Sequence, residues 1–336
     1  MRESIRLIIC TLLIPCLFSV GCSSSSNLRK FNDSDIAGAV SEAQAKKFEV
    51  RESAATPTPS PTPDPDSKKK FKKKKHEAKV KKGEKVEPTP TPETKNAPPV
   101  RKPEKMPFEI GEKLDYAIRY IGVTAGHFEI EVQPYKFVQD RQVYHLVGKA
   151  TTVKIFELVY RVNDTVESYF DSSGLFSHRF TMDLDESKQT RKVIELYDYD
   201  KKQSMYWNRI DHVKNGYKEE KQNYDIELWS QDPLSSLYFL RMAQLPTDAS
   251  QSEYKFPVIL DGKPWELRVK YKKREKIYAG GQVREADVYN LDSYQNGELK
   301  NRENTLWIST DEHRYILRVE AKVKVGSFAV ALDNIL

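Results

Sequence analysis

The segment Leu317-Arg318-Val319-Glu320-Ala321-Lys322-Val323-Lys324-Val325 alternates apolar and charged side chains without a break. Successive side chains of an extended chain point to opposite faces, so such a segment presents one apolar face and one charged face. That is the signature of a half-buried antiparallel strand. The same period of two runs through 114–120, 128–133 and 265–271. Further strand-like stretches are 143–151, 159–170, 176–184, 192–199, 204–207, 254–260, 284–289, 305–309 and 328–333. Turn residues separate them, among them Asn215-Gly216, Asp261-Gly262, Gly280-Gly281 and Asn296-Gly297. About a dozen strands exceed what a flat open sheet carries, so the pattern predicts an all-β domain built as one large antiparallel curled sheet or open barrel.

One segment departs from that period. Asp232-Pro233-Leu234-Ser235-Ser236-Leu237-Tyr238-Phe239-Leu240-Arg241-Met242 opens with a capping Asp and a Pro at the first helical position, and Pro246 follows it. A single helix among strands packs on the open face of the sheet. Leu234, Leu237, Tyr238 and Met242 are the expected contact side, serving as a core cover or as a lid over a ligand.

Charge is distributed unevenly. The chain has 336 residues and a net charge of +6, but residues 67–105 alone hold fifteen basic and five acidic side chains. The 231 residues from 106 onward carry a net −3, which excludes nucleic-acid binding inferred from overall charge. The basic excess is a lysine run, continuing from Lys68 to Lys85, between the Pro-rich stretches 56–65 and 88–92. Dense like charge and proline favour an extended, disordered chain, either a solvated spacer or a contact for anionic envelope polymer or lipid headgroups. Residues 27–50 hold one short amphipathic stretch, with Asp33 or Ser34 as a cap and Ile36, Val40 and Ala43 on one side. As a flexible coil, residues 27–105 would span roughly 50 Å.

The first residues read as an export signal. Arg2 and Arg6 precede the apolar run 7–18, which Pro15 interrupts and which is too short for a membrane-spanning helix. Phe18-Ser19-Val20-Gly21-Cys22 resembles the bacterial lipobox, with Ser19 where that pattern usually carries Leu. The resemblance implies acylation of Cys22, with palmitate among the chains, and Ser23 at the next position favours the outer membrane with the domain facing the periplasm. The chain's cysteines are Cys10, Cys16 and Cys22. The folded part therefore has no thiol for a disulfide, a nucleophile or a metal. The expected organisation is a signal peptide at 1–21, a lipidated N-terminus with a disordered Pro/Lys-rich linker at 22–106, and an antiparallel β domain at 107–336.

Phe108-Glu109-Ile110-Gly111-Glu112-Lys113-Leu114-Asp115-Tyr116 and Gly122-Val123-Thr124-Ala125-Gly126 resemble the opening of the bacterial family called domain of unknown function 3108. The run from Asp232 to Arg241 resembles its central helix, and the strand around Trp307 and the closing segment to Leu332 fit as well. The resemblance covers about residues 107–335 and implies an exported β domain without an assigned activity. By analogy of shape, a curled sheet around a helix is similar to lipoprotein-carrier and lipocalin-like folds, which bind amphiphiles.

Catalytic motifs are absent from the sequence. It has no Gly-x-Ser-x-Gly elbow, no phosphate loop and no His-Glu-x-x-His. His127-Phe128-Glu129 has the His-x-Glu spacing of zinc deaminases without their cysteines, and Asp183 with Asp185 fails the calcium-loop pattern. No catalytic residue, metal ligand or cofactor is assigned. Three classes of function remain: an envelope lipoprotein binding an amphiphile or glycan, a tethered scaffold meeting an envelope protein, and a hydrolase of envelope polymers with unidentified carboxylates. The many Tyr and Trp residues suit either core filling or a ligand-lining role.

Overall fold

The computed structural model describes residues 28–31, 40–52, 103–322 and 327–336. They belong to one compact unit, Met1–Ser53 with Pro98–Leu336; the other unit, Ala54–Ala97, lies outside the described residues. Cys22, the signal segment and the lysine run from Lys68 to Lys85 also lie outside them.

Fourteen strands form one antiparallel path. In chain order they are β2 (Lys113–Tyr120), β3 (Val123–Val138), β4 (Arg141–Thr152), β5 (Asn163–Asp171), β6 (Ser177–Asp185), β7 (Gln189–Asp198), β8 (Gln203–His212) and β9 (Gly216–Asp225). The remainder are β10 (Tyr254–Leu260), β11 (Lys263–Ala279), β12 (Gln282–Gln295), β13 (Glu298–Ser309), β14 (Ile316–Lys322) and β15 (Ser327–Ile335). Their spatial order runs from β10 to β15, then β2 to β9. A two-residue β1 (Arg51–Glu52) pairs with β3 off this path. Among the described residues three helices complete the elements: α1 (Glu42–Lys47), α2 (Lys154–Glu157) and α3 (Pro233–Met242). The described residues form the expected all-β fold with one substantial helix.

The sheet curls without closing. Its two end strands, β9 and β10, are not paired to each other. The segment before α3 spans the gap: Gln231 bridges Val258 of β10, while the Ser230 carbonyl accepts from Ser177 N–H at the start of β6. The β10–β11 turn reaches the opposite end of the path, where Arg191 Nη2 donates to Asp261 Oδ1 at 2.8 Å. Gly262, at φ 69°, lies so close to the Tyr206 ring that an added Cβ would stand 2.5 Å from it.

The helix α3 lies in the concavity. Asp232 caps it, accepting from the N–H groups of Leu234 and Ser235, with the reciprocal bond from Asp232 N–H to Ser235 Oγ. Leu234 and Tyr238 are fully buried in the main core, whereas Leu237 and Met242 are only partly buried against it. Phe239, Leu240 and Arg241 are buried as well, so the helix is enclosed on most sides instead of presenting one apolar stripe.

The N-terminal segment departs from the expected tether. Residues 40–52 lie within the stretch whose composition predicts a disordered linker with one short amphipathic piece, yet they pack on the outer face of the sheet. Ser41 caps α1 in a box with Gln44, and Val40 and Phe48 join a second apolar cluster with Val138, Val143, Tyr169, Ile194, Leu196, Met205 and Trp207. The expected caps Asp33 and Ser34 lie outside the described residues. The cause is β7, which is apolar on both faces in its second half and needs cover outside as well as inside. Strand β9 was also missed, because its Gly216–Asp225 sequence is polar on both faces and it is held by pairing with β8.

Candidate functional site

A cleft of about 880 Å³ opens on the outer face of β5, β6 and β7. Strand alternation brings Thr165 and Glu167 of β5, Arg179, Thr181 and Asp183 of β6, and Thr190 and Lys192 of β7 onto that face. Two pieces of the N-terminal segment supply the facing walls, Lys30 and Phe31 at one end and Ala45, Glu49 and Val50 at the other. Those pieces are fixed by specific bonds. Thr190 Oγ1 donates to the Arg29 carbonyl at 2.6 Å, Arg29 N–H donates to Asp211 Oδ2 at 3.0 Å, and Arg179 Nη1 donates to the Phe48 carbonyl at 3.2 Å.

The lining is polar and of mixed charge. Lys192 pairs with Asp183 at 3.6 Å, and Arg161 holds Asp185 at 2.8 Å. The two aspartates singled out in the sequence therefore sit as ion-paired side chains on one strand face. Glu167 accepts from His145 at 2.9 Å and from the Tyr169 hydroxyl at 2.6 Å, and the His145 hydrogen bond leads in holding its carboxyl down at about 2. The Tyr169 ring stacks on His145 with centroids 4.5 Å apart. A rigid aromatic, hydroxyls and paired charges make a surface suited to a hydroxyl-rich ligand.

Buried polar groups elsewhere serve the fold. Asp232 accepts from Ser168 Oγ and Ser177 Oγ, at 2.5 and 2.7 Å, besides capping α3. Burial pushes its carboxyl up, and it pushes that of Glu195 up to about 8. Asp164 and Glu186 form a buried acid pair. Burial, followed by the Glu186 charge, raises Asp164 to about 8, while Tyr160 and Gln189 donate to Glu186. A third group is Asp171 with Arg141 and His178; those hydrogen bonds overcome its burial and hold it well below the usual carboxylate range.

One trio has metal-ligand character. Atoms of Asp115, His127 and Asp333 lie within 4.8 Å of one another on the outside of β2, β3 and β15. His127 Nδ1 already faces Asp115 Oδ1 at 3.2 Å, and Asn334 contacts both aspartates. Three exposed or half-exposed donors offer weak, water-rich coordination. Of the residues expected to cover the core or to form a lid over a ligand, Leu234 and Tyr238 are in the core and Leu237 and Met242 at its margin, and none lines the cleft. Apart from Asp183 and Asp185, the cleft residues give no sequence signal, because they come from three strands and from a segment whose composition is that of a tether.

A family model described as protein of unknown function, DUF3108, matches residues 115–333. The chain belongs to the DUF3108 family. Both segments that carried the sequence resemblance meet in this DUF3108 domain, since Glu112 and Arg241 are bonded to each other. The chain is similar to a β-barrel-like protein of the DUF1849 family from Brucella abortus, with TM-score 0.41 and 9% identity, over 67% of this chain and 97% of that one. It is also similar to a candidate lipoprotein from Parabacteroides distasonis, with TM-score 0.29 and 10% identity, over 68% and 96% of the two chains. A third similar structure is a candidate exported protein with a YmcC-like fold from Bacteroides fragilis, with TM-score 0.28 and 10% identity, over 69% and 98%. No curated protein matches the chain.

Proposed function

We propose that this DUF3108 protein is a lipoprotein of the bacterial envelope, anchored in the outer membrane through Cys22, whose β domain binds a segment of envelope glycan. The observation that carries the reading is the outer cleft of about 880 Å³, lined by hydroxyls and paired charges. An amphiphile would need an apolar concavity, and α3 with its aromatic neighbours occupies that side of the sheet. Titration calorimetry of the mature chain, bearing Cys22→Ser, against fragments of peptidoglycan and lipopolysaccharide tests it. One fragment should bind, and Arg179→Gln with Thr181→Val should weaken that binding about tenfold, as loss of one or two ligand hydrogen bonds does. Binding by no fragment, or binding indifferent to those changes, removes the cleft reading. An intact mass without acyl chains removes the anchor.

A second reading, a scaffold that meets another envelope protein, is favoured by β9. Its ten residues form one end of the sheet and are largely exposed. Lys218, Glu219, Glu220 and Lys221 charge that edge, which would select a partner strand of complementary pattern. Cross-linking from β9 positions to an envelope protein in cells would favour it.

A further inference from the structure

Antiparallel neighbours turn at alternating ends, so the β2–β3, β4–β5, β6–β7 and β8–β9 connections share one end of the sheet. Large aliphatic side chains are exposed there. In the β4–β5 connection Ile155 is 76% exposed, Leu158 94% and Val159 73%; in the adjacent β2–β3 turn Ile121 is 60% exposed, and Val123, which follows it, 55%. The β4–β5 connection is held in shape from below. Phe156 N–H donates to the Val153 carbonyl, Tyr160 N–H to the Phe156 carbonyl, and the buried Tyr160 gives its hydroxyl to Glu186. Tyr160 thus turns inward and Phe156 is half-buried, while Ile155, Leu158 and Val159 stand in solvent. Ile121 adopts φ 47°, a conformation that a β-branched residue rarely takes and that Asn or Gly would take readily.

The N-terminal segment arrives at this same end. Arg29 is fixed to Thr190 and Asp211, which are paired residues beside the β6–β7 and β8–β9 turns. Leu28 is six residues after Cys22, a span of at most about 20 Å even when fully extended. An acyl chain on Cys22 therefore keeps this end of the domain within that distance of the bilayer surface, far less than the reach of a 79-residue tether. Lys154, Arg161, Lys188 and Lys214 outnumber the exposed Glu157 and the buried Glu186 in the same connections, a charge suited to anionic headgroups.

We infer that this end is a membrane-docking surface: the tip carrying Ile155, Leu158 and Val159, with Ile121 and Val123 beside it, enters the headgroup region of the leaflet that holds the anchor. Aliphatic side chains above a basic rim are the composition of an interfacial insertion. The domain then stands upright on the membrane, with its outer cleft opening sideways close to the lipid surface. The inference rests on reading Cys22 as the anchor, and its test replaces that anchor to keep the two apart.

The mature chain bearing Cys22→Ala and an N-terminal hexahistidine tag is captured on phosphatidylethanolamine–phosphatidylglycerol vesicles that contain nickel-chelating lipid. Residues 23–336 contain no cysteine, so Leu158→Cys or Tyr278→Cys gives one site for an environment-sensitive dye. Tyr278 is 74% exposed in the β11–β12 hairpin, at the other end of the sheet. The dye at 158 should shift to the blue on capture and lose intensity on acyl-brominated lipid, while the dye at 278 does neither. Ile155→Ser with Val159→Ser should remove the response at 158. A dye at 158 that stays water-like on captured protein, or equal responses at both positions, overturns the inference. An unacylated Cys22 in the native protein removes the anchor alone and leaves the dye result to be judged separately.

Discussion

The Arg241 guanidinium and the Glu112 carboxylate form a buried two-pronged ion pair, Nη1 to Oε1 at 2.6 Å and Nη2 to Oε2 at 2.8 Å. Arg241 stands near the end of α3, and Glu112 immediately precedes β2. Arg241 also donates to the Pro107 and His313 carbonyls, and the rings of Phe108, Tyr238 and Tyr315 surround it at 5.0–5.4 Å. The pair ties the helix to the entrance of the first long strand. Removing one partner leaves an uncompensated buried charge, so Arg241→Met should cost about 3–5 kcal/mol. Arg241→Met combined with Glu112→Met should cost less than the two single changes together. Urea denaturation of the four proteins measures the coupling, and strict additivity would contradict the pair's role.

The helix is expected to behave as core. Leu234 is fully buried and Leu237 only partly so. Leu234→Ala should destabilise the domain by about 2–5 kcal/mol, and Leu237→Ala by clearly less. The reverse order, or two small effects, would show that α3 detaches easily, as a lid must. Equilibrium unfolding followed by tryptophan fluorescence distinguishes the two.

Phe48 is 2% exposed and seals the outer apolar cluster over Ile194, Leu196 and Trp207. Phe48→Ala should cost about 3–5 kcal/mol. Deleting residues 22–52 should uncover that face and produce dye-binding, association-prone protein. A truncated chain as stable and as monomeric as the full one would mean that the segment is dispensable.

Stability should depend on pH through the buried acids. The carboxyls of Asp164 and Glu195 are pushed up to about 8, against about 4 in an unfolded chain. Between those values the folded protein holds protons that the unfolded chain has released. Stability therefore falls as pH rises from about 4 to about 8, and levels off above, by an amount on the order of a few kcal/mol. Asp164→Asn with Glu195→Gln should flatten that slope and leave the double variant more stable than wild type at high pH. Melting temperatures at pH 5 and pH 8.5 check the sign. In acid the opposite holds for Glu167, whose carboxyl is held at about 2: its contribution, present above about 4, is lost as pH falls towards 2.

Local alternation was enough to determine that the chain forms antiparallel strands. The stretch 254–260 coincides with β10, and Asp232 and Pro233 mark the start of α3, because capping and period-two burial are written within a few consecutive residues. The Asn215-Gly216 turn was legible too, and it implied a returning strand that the polar sequence of β9 concealed. Tertiary structure decided the rest. Val40 was legible only as one side of a short amphipathic stretch, and Phe48 carries no signal of its own; both are ordered because Ile194, Leu196, Met205 and Trp207 leave the outer face of β7 and β8 apolar, and only sheet pairing brings those four together. The cleft, the buried acid pair and the exposed Ile155–Leu158–Val159 tip likewise depend on which strands become neighbours. Sequence spacing cannot carry that information, because each arises from side chains tens of residues apart or from the burial of everything around them.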